Sequence, residues 1–210
     1  MFISQLLTIA FVHLLAVMSP GPDFALTTRN SLLYSRKSGV YTSVGLALGI
    51  MVHVTYCLLG IGLLISRSIV LFSIIKYVGA GYLIYIGYKS LKAKPEEVSE
   101  SNSIVATGNV LTPFASAKLG FLSNVLNPKA TLFMLALFTQ VINPATPKLI
   151  QSLFGVEMVV ATFMWFSLVA IFFSNQLIKV RITKVQHYIE RFTGAVLIAL
   201  GIKVALSSRR

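Results

Sequence analysis

The sequence predicts an all-α integral membrane protein with six transmembrane segments, arranged as a 3+3 inverted repeat whose first and fourth spans are broken at mid-membrane. The first observation is composition. Of the 210 residues 56% are hydrophobic and 11% are charged, with a mean hydropathy of +0.82, whereas soluble domains average about 25% charged residues. The second observation is a series of long apolar runs. The third is that prolines interrupt two of these runs at corresponding places.

Six segments are apolar enough to span a hydrocarbon core of about 30 Å, which takes roughly 20 helical residues. They cover residues 2–33, 39–65, 74–91, 117–142, 149–174 and 188–207, the first and fourth with an interruption. A polar stretch, "KAKPEEVSESNS" at 92–103, holds three of the six acidic residues. We therefore predict a single membrane domain over 1–210, with repeat 1 at about 1–91, a cytoplasmic linker at about 92–116 and repeat 2 at about 117–210.

The basic residues determine the predicted orientation. The net charge is +12, but lysines and arginines cluster between apolar runs, so membrane topology explains them better than binding to nucleic acid. Eleven of them fall on the side of the 92–103 stretch and six on the other side. This asymmetry predicts a cytoplasmic linker and places both termini outside the cytoplasm. Since no basic residue precedes Arg29, the first apolar run is interpreted as a span rather than a signal peptide.

Short motifs indicate that the two halves are related. The segments "YLIYIGYK" at 82–89 and "VLIALGIK" at 196–203 share Leu, Ile, Gly and Lys in register, with an offset of 114 residues. The first span breaks near Gly21 and the fourth near Pro128, an offset of 107. Because each half has an odd number of spans, related halves must be inverted relative to one another, as in many secondary transporters.

Proline chemistry explains both breaks. The stretch "SPGPD" at 19–23 interrupts the first span, because a proline inside a helix removes a backbone hydrogen bond and costs roughly 3 kcal/mol, which lipid cannot offset. The stretch "SNVLNPKATLF" at 123–133 interrupts the fourth, where Asn127 is a favoured N-cap and Pro128 a favoured first helical residue. Both patterns predict a helix that restarts within the membrane.

Each restarting helix carries a charge beside its break, Asp23 in the first span and Lys129 in the fourth. Charges at mid-membrane are costly, so these two should face a cavity or one another. Lys129 and the freed N–H groups of a helix start can hold a carboxylate, while Asp23 can accept an ammonium group or a proton. The residues therefore indicate a site for a zwitterionic amino acid. The alternative is a pair of packing kinks joined by a structural ion pair.

The motifs resemble those of the LysE/RhtB family of amino-acid exporters nearly from end to end: "SPGPD", "GLALG" at 45–49, "KYVGAGYLIYIGYK" at 76–89 and "GFLSNVLNPKATLF" at 120–133. The resemblance implies proton-driven efflux of small amino acids by a homodimer in the bacterial inner membrane. Neutral substrates such as threonine, homoserine and leucine are favoured, because the spans offer no assured second acid for a cationic side chain. One departure is "FTQ" at 138–140, where many relatives have a proline before the glutamine. By motif, the route would be lined by Pro20, Gly21, Pro22, Asp23, Asn127, Pro128 and Lys129.

Several residues outside these motifs have more than one interpretation. Gly45 and Gly49 form a GxxxG face, which favours close helix packing within or between subunits. His13 and His53 could relay protons, but burial with satisfied hydrogen bonds is the preferred interpretation. Glu157, inside the predicted fifth span, is the second candidate for a proton carrier.

Enzyme and cofactor chemistry find no support in the sequence. It contains no HExxH, CxxC, GxSxG or phosphate-binding Gly-Lys motif, and its one cysteine, Cys57, lies in an apolar run. No cofactor is predicted. Two other functions stay open: a small-cation or metal exporter, which would need several carboxylate or thiol ligands in the spans, and a membrane assembly factor that transports nothing.

Overall fold

A computed structural model of the chain describes residues 2–67, 69–92, 111–140, 142 and 146–206. Within these residues the protein has eight α-helices and no strands, so the all-α prediction is confirmed. Most of the predicted linker at 92–116 lies outside the described residues, as do the acidic residues within it. The helices are α1 Phe2–Met18, α2 Pro22–Leu33, α3 Arg36–Arg67, α4 Ile69–Leu91, α5 Pro113–Val125, α6 Pro128–Gln140, α7 Lys148–Phe173 and α8 Gln176–Leu206.

The apolar helices are those of a multi-pass membrane protein. Helices α3 and α7 are each long and apolar enough to cross a membrane, and the pairs α1–α2 and α5–α6 pass the same test if each bent pair is one span. By length and composition, the described residues therefore contain two such helices, or up to four spans. The six-span count and the 3+3 repeat stay predictions.

Both breaks occur where the sequence predicts them. The axis bends by 59° between α1 and α2 and by 58° between α5 and α6. Gly21 is the N-cap of α2, with an extended backbone and Pro22 in the first turn. Asn127 caps α6, because its side-chain oxygen accepts a hydrogen bond of 3.0 Å from the backbone N–H of Lys129.

The largest differences from the predicted spans are the starts of α4 and α8. Helix α4 begins at Ile69 rather than at residue 74, and α8 begins at Gln176 rather than at 188. The sequence contains no proline or glycine between 176 and 193, so nothing in the chain breaks the helix there. Cationic side chains are compatible with a helix that continues beyond the apolar segment, because lysine and arginine have high helix propensity.

Glycines allow two pairs of helices to pack with their backbones close together. In the α3–α5 pair, Gly45 lies against the backbone of Ala117, and Gly49 lies against the side chain of Asn124. In the α4–α8 pair, a Cβ atom added at Gly87 would lie 2.6 Å from the carbonyl oxygen of Gly194. These contacts hold the helices around a shared core that includes the fully buried side chains of Ile9, Met134, Leu137, Phe154 and Met158.

Candidate functional site

The side chain of Asp23 joins the two broken spans. It lies in the first turn of α2 and is 8% exposed. Its carboxylate accepts hydrogen bonds from Ser123 Oγ at 2.7 Å, Asn124 Nδ2 at 2.8 Å and Asn127 Nδ2 at 3.2 Å. All three donors come from the last turn of α5 and the cap of α6, so the start of one restarted helix is bound to the break in the other.

Lys129 makes the reciprocal connection. It lies in the first turn of α6 and is partly buried. Its Nζ atom donates to the carbonyl oxygen of Ser19 at 2.8 Å and approaches that of Pro20 at 3.5 Å. These carbonyls follow the end of α1, where a helix leaves acceptors without intrahelical partners. The carboxylate and the ammonium thus have uncharged hydrogen-bond partners rather than each other.

Both charged side chains face one cavity, which we call the inner cavity, with a volume of about 50 Å³. One water needs roughly 10–15 Å³ by this measure, so the space exceeds that of a single solvent molecule. The polar end is formed by Ser19, Gly21, Asp23, Asn127 and Lys129. The rest of the wall is mainly apolar and comes from several helices; it includes Ala16, Phe24, Ile50, Leu83, Phe133, Met134, Phe166 and Leu197.

A second and larger cavity, the vestibule, has a volume of about 550 Å³ and meets the inner cavity at the breaks. The two share Ser19, Gly21, Tyr82, Ile86 and Lys129. Away from the breaks, the vestibule extends along the end of α4, toward the predicted cytoplasmic linker. The lining in that direction is charged and polar: Lys89, Ser90, Lys92 and Glu190.

The predicted site residues are therefore close together in space. Asp23, Asn127, Gly21 and Lys129 line the inner cavity, whereas the prolines line the vestibule: Pro20, Pro22 and Pro128. Glu157 lines neither cavity. Among the described residues, no group of three or more His, Cys, Asp or Glu side chains is placed to hold a metal ion.

Sequence reasoning did not select Ser123 and Asn124, although both occur within a quoted motif. Each is a polar residue near the end of an apolar helix, and Asn124 precedes Asn127 by three positions, which places the two on one side of the chain before the break. That spacing is the one sequence feature that could have added Asn124 to the predicted site. Their partner Asp23 is about 100 positions away along the sequence.

His53 supports this arrangement from α3. Its Nε2 atom lies 3.0 Å from the carbonyl oxygen of Asn124, and its Nδ1 atom lies 2.7 Å from the hydroxyl of Tyr56. A carbonyl oxygen can only accept, so Nε2 carries the proton in this hydrogen bond. The buried imidazole thus has both nitrogens paired, and it fixes the backbone of the residue that donates to Asp23.

The site presents charges of both signs to one cavity. A cation at Lys129 and an anion at Asp23 line it, and amide and hydroxyl groups donate to the Asp23 carboxylate. A carboxylate fits the first and an ammonium fits the second, because charge-assisted hydrogen bonds are the strong ones in such sites. The apolar wall leaves room for a short side chain.

Several known proteins have sequences similar to that of this chain. The family model "LysE type translocator" matches residues 14–208. The threonine efflux protein of Escherichia coli K12 is 30% identical over 203 residues, covering 96% of this chain and 97% of its own. The uncharacterized membrane protein YrhP of Bacillus subtilis is 32% identical, covering 95% and 98%.

A third relative, the homoserine/homoserine lactone efflux protein of Salmonella typhimurium, is 32% identical over 136 residues, covering 65% of this chain and 64% of its own. No solved structure matches the chain significantly. The family model covers nearly the whole chain, including both breaks and the residues that join them. The chain therefore belongs to the family of LysE type translocators.

Proposed function

We propose that the chain is a secondary active exporter that moves small amino acids out of the cytoplasm, driven by the proton gradient, with neutral substrates favoured. Relatives over nearly the whole chain include threonine efflux proteins, and one that matches 65% of it is a homoserine/homoserine lactone efflux protein. The observation that carries the proposal is the placement of Asp23 and Lys129, one from each broken span, on a single cavity.

The two charges suggest how coupling would work. Lys129 would bind the substrate carboxylate after releasing the carbonyl of Ser19. Asp23 would bind either the substrate ammonium or a proton, so the two would exclude one another at one carboxylate. The protein would carry the substrate outward and return with a proton bound to Asp23, so that substrate exit is coupled to proton entry.

The vestibule supports a preference for neutral over basic substrates. Among the described residues, three lysines line it, Lys89, Lys92 and Lys129, together with one acidic residue, Glu190. An amino acid with a cationic side chain would meet like charges on the way to the inner cavity, and like charges raise the cost of entry. A zwitterion without net charge would not meet this barrier.

Alternating access is supported by a symmetric contact between α4 and α8. The sequence match between the halves has an offset of 114 residues, so Ala80, Ile84 and Gly87 of α4 correspond to Gly194, Ile198 and Gly201 of α8. Gly87 and Gly201 are equivalent under this offset, and each lies against the equivalents of the residues that the other contacts. A Cβ at Gly87 would meet Gly194 and Ile198, and one at Gly201 would meet Ala80 and Ile84. An antiparallel pair with reciprocal contacts is what an inverted repeat predicts.

We also propose that the protein is a homodimer in the bacterial inner membrane, with both termini of each chain outside the cytoplasm. In this orientation the vestibule opens to the cytoplasm, as an exporter that is loading substrate requires. The homodimer rests on the family resemblance alone. The large exposed side chains on α3 and α7, such as Met51, Leu59, Val156 and Met164, suit lipid as well as a second copy.

Efflux from proteoliposomes loaded with labelled threonine, with and without a pH gradient, tests this function. Asp23→Asn keeps the size of the side chain but removes the charge, and we expect it to abolish transport driven by the gradient. Glu157→Gln, an acid-to-amide change at a residue that lines neither cavity, tests the second candidate for a proton carrier, and we expect it to keep transport driven by the gradient. Full gradient-driven transport by Asp23→Asn would refute the role of Asp23.

The same experiment separates the alternatives. If the wild-type protein moves no amino acid under any gradient, the exporter hypothesis fails and an assembly role is favoured. If it moves inorganic cations instead, the metal-exporter alternative gains, although the described residues offer no cluster of three metal ligands.

A further inference from the structure

The inner cavity has a second polar element, away from Asp23 and Lys129. His13 of α1 and Thr162 of α7 line it and are 1% and 0% exposed, respectively. Their surroundings are apolar. The ring of Phe133 lies 6.3 Å from that of His13, centroid to centroid, and Met134 and Phe166 line the same cavity. Two buried polar side chains thus stand on an otherwise apolar wall.

The pair leaves one hydrogen-bonding position open. Thr162 Oγ1 lies 3.4 Å from His13 Nε2, which is a long hydrogen bond. The other ring nitrogen, Nδ1, has no hydrogen-bond partner in the part of the chain that the structure describes. A neutral imidazole has one donor and one acceptor, so either tautomer leaves one capacity unused. Buried polar atoms without partners are rare in native proteins and call for an explanation.

The distance from the charged end suits a small ligand. His13 precedes Ser19, whose carbonyl holds Lys129, by six residues of α1, which is about 9 Å along a helix axis. A hydrogen bond at each end takes roughly 3 Å. The remaining few ångströms correspond to the separation of carboxylate and side-chain oxygen in an amino acid with a hydroxyl on Cβ or Cγ.

We propose that His13 and Thr162 form the side-chain subsite of the inner cavity and select substrates whose short side chain carries a hydroxyl over apolar substrates of the same shape. The subsite rests on the proposed export function. A hydroxyl both donates and accepts, so it satisfies the open imidazole position in either tautomer. A site that hydrogen-bonds a hydroxyl discriminates strongly against the isostere that lacks it, because its polar groups are then left unpaired.

Paired substrates test the subsite. Threonine and valine differ by a hydroxyl in place of a methyl group, so the ratio of their initial export rates from loaded proteoliposomes measures recognition of the hydroxyl. We expect the wild-type protein to favour threonine by about tenfold or more. Even apolar pockets, which discriminate weakly between a hydroxyl and a methyl group, reach a ratio of about 100-fold. Thr162→Val, which keeps the shape of the side chain, should lower this ratio several-fold by raising valine export or reducing threonine export.

Two further variants complete the design. Thr193→Val is the matched control, because Thr193 is equally buried but lines neither cavity, and it should leave the ratio unchanged. His13→Phe should lower the ratio toward one, and His13→Gln, which keeps hydrogen-bonding groups, should retain part of it. If a histidine variant does not fold, the ratio in Thr162→Val decides the question alone.

The outcomes separate the subsite from the function. A wild-type protein that exports no amino acid refutes the proposed function. A wild-type protein that exports threonine and valine equally, or whose ratio is the same in Thr162→Val, exports amino acids but has no hydroxyl subsite at His13 and Thr162. A ratio that falls in Thr162→Val and not in Thr193→Val supports the subsite.

Discussion

Replacing Gly87 with alanine tests the close packing of α4 against α8. The added methyl group would lie 2.6 Å from the carbonyl oxygen of Gly194 and 2.7 Å from a side-chain carbon of Ile198. Ordinary van der Waals contact begins at 3.4 Å, so the helices must separate by about 0.8 Å or deform. The nearest atom belongs to the backbone, which cannot rotate away. Overpacking of this kind costs about 1–3 kcal/mol.

The expected loss of stability is measurable. For a chain of about 200 residues, 1 kcal/mol shifts Tm by roughly 2–4 °C, so Gly87→Ala should lower Tm by about 2–12 °C. The chain contains its own reporter. Cys57 is the only cysteine and is 1% exposed, so a thiol-reactive fluorescent dye should react with the purified protein in detergent mainly on unfolding.

Gly81 provides the control within the same helix. A Cβ atom added there has nothing within 4 Å, so Gly81→Ala should not lower Tm, and the higher helix propensity of alanine should raise it slightly if at all. Gly201→Ala makes the corresponding contact in the other half, at 2.7 Å from a side-chain carbon of Ile84, and should lower Tm as Gly87→Ala does. An unchanged Tm in Gly87→Ala, or an equal loss in Gly81→Ala, would refute the packing argument. A loss in Gly87→Ala alone would refute only the equivalence of the halves.

Three further predictions concern the breaks and the vestibule. Asn127→Ala should cost about 0.5–2 kcal/mol, because α6 loses its cap, whereas Asn127→Ser keeps the cap and should recover most of the Tm. Gly21→Ala should preserve transport, because the methyl group would lie 3.5 Å from Lys129 Nζ, while Gly21→Leu should fill the inner cavity and block transport with little change in Tm. In a Cys57→Ser background, Ser90→Cys should react with a membrane-impermeant thiol reagent in inside-out vesicles and not in intact cells; the reverse result would contradict the predicted orientation.

The sequence predicts the breaks well because their causes are local. Proline removes a hydrogen bond from its own helix, and the side chain of Asn127 caps the turn that it begins. These effects need no knowledge of neighbouring helices. Composition, likewise, is sufficient to predict the membrane class, since 11% of the residues are charged against an average of about 25% in soluble domains.

The partners of the charged residues depend on how the two broken spans cross, which no local pattern specifies. The sequence allows Asp23 and Lys129 to face a cavity or one another. In the structure both line one cavity, and each bonds to uncharged groups across the junction. Ser123 becomes a partner of Asp23 only because α5 approaches α2, and α5 is positioned by its glycine contacts with α3. The same tertiary dependence explains why His13 and Thr162 could not be paired from sequence.

One asymmetry about the proposed repeat indicates which side of the protein is closed. Helix α4 packs against α6, and a Cβ atom at Gly79 would lie 3.3 Å from that of Ala136. Under the repeat, α8 and α2 correspond to α4 and α6, yet no comparable contact joins them among the described residues. The vestibule lies on the side of the missing contact, between the end of α4, Glu190 of α8 and the two breaks. Alternating access would therefore exchange these two interfaces, opening α4–α6 as α8–α2 closes.

If these two interfaces exchange, Gly79→Leu should change the relative populations of the state with α4–α6 closed and the state with α8–α2 closed. The larger side chain disfavours the closed α4–α6 interface by about 1–3 kcal/mol, which shifts the ratio of the two states by roughly 5- to 150-fold. The vestibule should then be closed more of the time, so Ser90→Cys should react more slowly from the cytoplasmic side. Gly81→Leu, two residues away with open space around it, should leave the labelling rate unchanged. Equal labelling in both variants would mean that the α4–α6 contact serves packing alone and that another interface must open.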